Sequence, residues 1–411
     1  MTPAHDTVAP DGLPGRAELI ALLAMLFATI AFSIDAMLPA LPELTAALSP
    51  EAPNKVQLVV TMFMLGMGLG TFFTGPLSDT FGRKPIVLAG AVLYIAGALM
   101  ATQAETLEVL LAARLLQGLG AAGPRVVAIA IVRDLYSGRA MAQIMSFVMM
   151  VFTLVPALAP SIGAVLIAAA GWHSVFYAFA LFSAVGAIWF TLRLPETLPV
   201  THRRPFRLNA LGAAIREMMA HPVVRLSILV QAFIFAMLIA TISTIQPIYE
   251  AALGRAESFP LWFGLTAIIG ASSSYLNARL VMRLGMRSLV TTMLWVQIAA
   301  SGVATVLIAS GVSGTGLFVV FIIWQLLLFY QMGMTIGNLN AIGMEPMGHI
   351  AGMAASIIGA VSTVIAVVLA VPVGLLFDGT PLPLVAGALV FAICAQLTMA
   401  RLRRIEQPVD A

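Results

Sequence analysis

Apolar residues run along this chain in stretches of around twenty, separated by short polar breaks that hold most of the charge. Wound as a helix, a stretch of that length spans the roughly 30 Å hydrocarbon core of a bilayer. The pattern predicts helices over about 17–44, 55–77, 85–103, 107–131, 141–168 and 172–193. A second series follows over about 223–247, 259–281, 286–309, 314–340, 350–376 and 381–401. The longest break separates an N-terminal six-helix bundle, 17–193, from a C-terminal one, 223–401. Tails at 1–16 and 402–411 complete the chain, together with a linker at 194–222 that reads as a basic, interfacial amphipathic helix. The expected fold is all-α and integral to the membrane, with twelve transmembrane helices.

The two series carry a weak internal repeat. Gly82 and Lys84, after the second helix, recur as Gly285 and Arg287 after the eighth. Parallel repeats with a site at mid-membrane between the halves are a transporter architecture.

Composition agrees: 61% of residues are hydrophobic and 9% charged, against about 25% charged in soluble domains. The net charge of +3 and pI near 9.3 would suit nucleic acid, but the distribution argues otherwise. Arg16, Arg83, Lys84, Arg133, Arg139, the linker cations, Arg279, Arg283, Arg287, Arg401, Arg403 and Arg404 fall on one side of the predicted spans, and Lys55 and Arg255 on the other. The positive-inside rule then places both termini in the cytoplasm, and the cations are topology signals. Asp6 and Asp11 precede Arg16, which is unlike the cationic start of a cleaved signal peptide, so the first helix is expected to stay. A lone Cys394 excludes a disulfide framework, and His5, His173, His202, His221 and His349 show no metal-ligand spacing. No metal is expected.

Within this apolar chain Asp35 is the acid set deep in a predicted span, where a charge costs about 2.5–3.5 kcal/mol on insertion scales. The fourth predicted helix carries Arg114, whose guanidinium cannot shed its charge and needs water, a carboxylate or a substrate. At 1.5 Å per residue, Asp35 lies roughly 15 Å and Arg114 roughly 12 Å below the outer surface, in the outer half of one cavity. Arg125, about three turns after Arg114, either faces the same cavity or snorkels toward the cytoplasm. The literal Gly118-x-Gly120-x-x-Gly123 is no dinucleotide site, because no strand precedes it and Gln143, not an acid, follows. Close helix packing through small residues explains it. Gln231, Thr241, Ser243, Gln246, Tyr249, Gln325, Gln331, Asn338 and Asn340 also lie in spans and either line the cavity or bond helix to helix.

The loop Gly75-Pro76-Leu77-Ser78-Asp79-Thr80-Phe81-Gly82-Arg83-Lys84-Pro85 closely resembles the signature Gly-x-Leu-x-Asp-x-x-Gly-Arg-Lys of the major facilitator superfamily. The resemblance implies two pseudo-symmetric six-helix bundles and a cytoplasmic gate loop formed by Gly75, Asp79, Gly82, Arg83 and Lys84, with Asp79 latched to a helix start near Ile350. The second copy has Met282 in place of Asp79, so a full latch is expected only in the first half. Arg114-x-x-Gln117-Gly118 resembles the fourth-helix motif of proton-coupled members, where the arginine is implicated in coupling. Asp35-Ala36-Met37-Leu38-Pro39-Ala40-Leu41-Pro42 looks like the first-helix end of the Bcr/CflA drug and proton antiporters, with Met37 in place of a tyrosine. Pro156 to Gly163, with Pro160 between, resembles the exporter motif Gly-Pro-x-x-Gly except for Ala159 at its leading glycine; its other reading is a packing kink. Gly171-Trp172-His173, Glu345 and Ala351 to Ser356 extend the resemblance over about 17–400.

The resemblance implies proton-coupled efflux of small amphipathic drugs or toxic compounds by alternating access, from a bacterial inner membrane, by a monomer. Asp35 is the expected proton carrier and Arg114 its coupling partner. Asp35, Met37, Gln117, Arg125, Gln231, Gln246, Gln325 and Asn338 are the expected cavity residues. The alternative is proton-coupled transport, inward or outward, of one specific solute. An enzyme is not expected, since one acid and two arginines supply no catalytic cluster. Nor is a cofactor: one proton yields about 2.3 kcal/mol per 100 mV plus about 1.4 per pH unit, enough for a roughly hundredfold gradient, and no Gly-rich nucleotide loop is present.

Overall fold

The computed structural model describes residues 13–406 except 204 and 207, so His5, Asp6, Asp11, Arg204 and Arg207 lie outside the described residues. In chain order the helices are α1 (Arg16–Asp35), α2 (Leu41–Leu48), α3 (Leu58–Phe81), α4 (Arg83–Thr102), α5 (Leu107–Leu135), α6 (Gly138–Ala170) and α7 (His173–Arg193). Next come α8 (Leu208–Ala220), α9 (Pro222–Pro247), α10 (Phe259–Leu284), α11 (Met286–Ala309), α12 (Gly314–Met344), α13 (Ala351–Leu375) and α14 (Leu382–Glu406). Among the described residues, 11 stretches are long and apolar enough to cross a membrane, and one of them, Gly314–Leu375, holds both α12 and α13. Twelve helices thus span, while α2 and α8 do not.

One predicted helix is divided. The stretch read as 17–44 breaks after Asp35 into a turn at Ala36 and Met37, a 3-10 turn at Leu38–Ala40, and then α2. Pro39 and Pro42 cause the break: lacking an N–H, they cannot donate to the carbonyls of Asp35 and Leu38, four residues back. Asp35 is therefore the last residue of α1 and sits at a bend, where an uninterrupted helix had been expected.

The halves repeat in their packing. In the first, α3 packs on α5, α4 on α5 and α7, and α1 on α6 and α7. The same pairs recur in the second as α10 on α12, α11 on α12 and α14, and α9 on α13 and α14. The halves join along two related seams, α3 with α13 and α6 with α10. Gly82 and Gly285, the two repeat positions, share a backbone conformation, φ 102° and ψ 165° against φ 78° and ψ 153°. This left-handed region suits glycine alone.

Glycines also set the helix spacing. A Cβ on Gly66 of α3 would overlap the Leu115 carbonyl of α5, and one on Gly118 of α5 would overlap that of Phe63. Gly118 and Gly120 thus do what close packing predicts for them. Glu18 at the start of α1 accepts from Arg193 Nε at 2.6 Å and from Trp189 Nε1 at 3.3 Å, tying the two ends of the first bundle together.

At the end bearing Arg83, Lys84 and Arg193, here the basic end, a polar cluster pins α3, α4, α5 and the segment after α7. The buried Arg83 donates through Nε to Asp134 Oδ2 at 2.8 Å, through Nη2 to Asp134 Oδ1 at 3.2 Å and through Nη1 to Asp79 Oδ1 at 2.6 Å. The Glu196 carboxylate accepts from the backbone N–H groups of Arg83 and Lys84 at 2.9 and 3.0 Å, capping the start of α4. Breaking a buried pair by removing one partner is strongly destabilising, because it strands the other charge. Arg83→Leu is accordingly expected to cost about 3 kcal/mol, seen as a lowered thermal midpoint of the detergent-solubilised protein. An unchanged midpoint would show that the cluster is ornamental.

Candidate functional site: the α1 break and its arginine

The break after Asp35 is enclosed on every side. Ser33, Asp35, Ala36, Met37 and Leu38 are all buried, and Met37 lies in the apolar core of the bundle. Among the described residues the Asp35 carboxyl has no hydrogen bond and no ion pair. A buried charge without a partner is costly in hydrocarbon, so such residues mark pathways and relays.

Arg114 reaches α1 without pairing with Asp35. Its Nη2 donates to the Ser33 carbonyl at 3.1 Å, two residues before the carboxylate, its Nε to the Val59 carbonyl at 3.1 Å and its Nη1 to Gln117 Oε1 at 2.5 Å. The guanidinium lies 4.4 Å from the ring centre of Phe63 and 6.0 Å from that of Phe176. Cation–π attraction and carbonyl dipoles hold this fully buried cation where a carboxylate was expected. Tyr94 closes the group, its hydroxyl in a short hydrogen bond with Ser33 Oγ. Sequence reasoning missed Tyr94 and Phe63; the available signal was a phenol placed inside an apolar span.

The proline-bearing α6 presses on the break. Gly163 abuts Ala36 so closely that a Cβ would overlap the Ala36 carbonyl oxygen. Six residues earlier on the same helix, the Ala157 carbonyl would lie 2.6 Å from a Cβ on Gly264 of α10, in the other half. Pro156, Pro160 and Gly163 therefore sit between the Asp35 bend and the seam that joins the halves.

Other expected cavity residues divide by their partners. Gln325 is spent on helix-to-helix bonds, accepting from Tyr249 Oη at 3.2 Å and donating to Thr266 Oγ1 at 2.7 Å. Asn338 likewise donates to Asn277 Oδ1 and to the Met334 carbonyl, both at 2.8 Å. These two hold helices together where a cavity role was expected of them. Gln117 Nε2, Gln231 Oε1 and Gln246 Oε1 are buried without a partner among the described residues, as are both polar atoms of Gln331. Gln231 does donate to Ser362 Oγ at 3.1 Å, and Gln246 to Glu250 Oε2 at 3.1 Å.

The gate loop differs from its expected latch. Asp79 pairs with Arg83, and no contact of its carboxylate with the start of α13 is found among the described residues. The first half meets that helix through Gly75, whose Cβ would lie 3.3 Å from Ser356 Oγ, and through Arg133, whose Nη1 would lie 2.9 Å from a Cβ on Gly352.

The family model "Major Facilitator Superfamily" matches residues 21–371. The chain is 31% identical over 267 residues to a bicyclomycin resistance protein homolog of Haemophilus influenzae, covering 65% of this chain and 67% of the relative. It is 28% identical over 388 residues to the uncharacterized MFS-type transporter YdgK of Bacillus subtilis, covering 93% and 94%. The multidrug resistance protein MdtL of Escherichia coli is 33% identical over 168 residues, 41% of this chain and 43% of the relative. Among solved structures, the xylose transporter XylE of E. coli, in a partially occluded inward-open conformation, superposes with a TM-score of 0.72 at 12% identity over 94% of this chain and 97% of that one. With its duplicated bundles, its loop signature and these relatives, the chain belongs to the major facilitator superfamily and, within it, to the Bcr/CflA drug and proton antiporter group.

Proposed function

We propose that this chain exports small amphipathic toxic compounds across a bacterial inner membrane in exchange for protons, with Asp35 as the proton carrier and both termini in the cytoplasm. The observation that supports it most is the buried Asp35 carboxyl, which has no fixed partner in the fold. A group so placed gains a counterpart only from outside the fold, and a proton is the simplest one. Names among the relatives, bicyclomycin resistance and multidrug resistance, support this cargo class.

In the outward-facing state a proton from outside adds to the Asp35 carboxylate and the substrate leaves. In the inward-facing state the proton passes to the cytoplasm and a substrate binds between the halves. Arg114 moves no proton; locked by carbonyls and Gln117, it holds a fixed positive charge beside α1. Motion of α6 against α10 reaches the bend through the Gly163–Ala36 contact, which links the rocking of the halves to the state of the carrier.

The test is proton release from purified protein in weakly buffered solution, followed with an indicator dye. The ligand is a compound to which the wild type confers resistance in a pump-deficient host. Saturating ligand is expected to release protons from the wild type and none from Asp35→Asn. A wild type that binds the compound and releases no proton at any pH would end the reading.

A further inference from the structure

Arg125 is the second arginine inside a span, and its surroundings are unlike those of Arg114. Arg114 has three oxygen acceptors and two rings. Arg125 offers five N–H donors, and among the described residues its one polar contact is Met67 Sδ at 4.0 Å from Nη1. No carboxylate lies at this depth to neutralise it: Asp35 is the single acid inside a predicted span, and the others stand at helix ends, in loops or in the tails.

The side chain does not snorkel toward the basic end. Gly70 of α3 faces Ala122 of α5, which fixes the register of these parallel neighbours. Arg125 lies three residues on the basic side of that level and Met67 three residues on the other, a difference of about 9 Å at 1.5 Å per residue. The guanidinium therefore reaches back toward mid-membrane, along the tilt that helical side chains take toward their own N-terminus. At that level α3 meets the other half, because a Cβ on Gly68 would lie 3.2 Å from Thr363 Cγ2 of α13. The residue before Thr363, Ser362, accepts from Gln231, whose Oε1 is buried and unpartnered. One layer of the seam thus brings a partly exposed cation of the first half, with no oxygen partner among the described residues, level with an unsatisfied amide from the second.

We propose that Arg125 is the anion-recognition residue of the substrate site, so that the preferred cargo bears a carboxylate or a comparable oxyanion on an apolar body, with Gln231 as a neighbouring polar contact. This rests on the export reading for its substrate path and adds the chemical class of the cargo. A guanidinium takes an oxyanion through two parallel N–H donors, and the partly exposed Arg125 leaves them open to a ligand.

Equilibrium binding to the full chain in lipid nanodiscs tests it without any gradient, so failure of proton coupling cannot be mistaken for failure here. The probes are amphipathic carboxylic acids, each paired with its methyl ester. The wild type is expected to bind acids at least tenfold more tightly than their esters. Arg125→Gln should weaken the acids at least tenfold and leave the esters within twofold, and Arg125→Lys should restore much of the difference. A wild type that prefers no acid over its ester, or an Arg125→Gln that weakens both alike or neither, overturns the proposal.

Discussion

In inside-out membrane vesicles with an acidic lumen, Asp35→Asn is expected to abolish uphill uptake of substrate while leaving exchange of substrate for substrate within about threefold of wild type. With a gradient of two pH units and no membrane potential, one proton per substrate sets a ceiling of about a hundredfold accumulation, since each unit is worth about 1.4 kcal/mol and each 1.4 kcal/mol is tenfold. The variant should accumulate nothing beyond equilibrium. The prediction follows from where the carboxyl sits: buried, at a bend made by Pro39, and without a hydrogen bond or ion pair among the described residues. Asparagine keeps the shape and removes the carboxyl proposed to carry the proton. Counterflow needs only alternation of the halves, so it survives. Gradient-driven accumulation by Asp35→Asn would place coupling elsewhere.

The second large effect belongs to Gly163. Its Cα rests against the Ala36 carbonyl, and a single added methyl has no room. Interiors are close-packed, and forcing an extra carbon into a backbone contact moves whole helices or unfolds the pair, at about 1–3 kcal/mol or more. Gly163→Ala is expected to cut uptake at least tenfold, and Gly163→Val to remove folded protein from the membrane, as measured by size-exclusion profiles of detergent extracts. Ala164, the next residue, is only half-buried, and Ala164→Val should leave both readouts near wild type. An active, well-folded Gly163→Val would mean that α6 and the bend are not in contact during transport.

Much of this molecule was legible in the sequence because its determinants are local. Span length sets the helices, and Gly82 recurring as Gly285 announces the repeat. The prolines after Asp35 stand in plain view, yet hydropathy sees only apolar residues from 17 to 44 and runs straight through the bend they create. Partner choice was harder still. Arg114 was expected beside a carboxylate and instead takes carbonyls from Ser33 and Val59, a choice set by the register of α1, α3 and α5 that periodicity cannot supply when helices are apolar on every face. Gln325 and Asn338 look much the same in sequence as Gln231, and only the facing helices decide that Gln325 bonds through both its polar atoms while Gln231 keeps a buried, unpartnered oxygen.

The two copies of the gate loop have drifted apart since the duplication that the shared packing pattern records. In the first, Arg83, Asp79, Asp134 and Glu196 tie α3, α4 and α5 to the segment after α7. In the second, Met282 stands 87% exposed where the first copy has Asp79, and nothing crowds Gly285. The duplicated turn has thus kept its backbone and exchanged its ion pairs: the first copy is tied through Arg83 to Asp79 and Asp134, and the second through Arg287 to Glu345 at 3.0 Å, just past the end of α12.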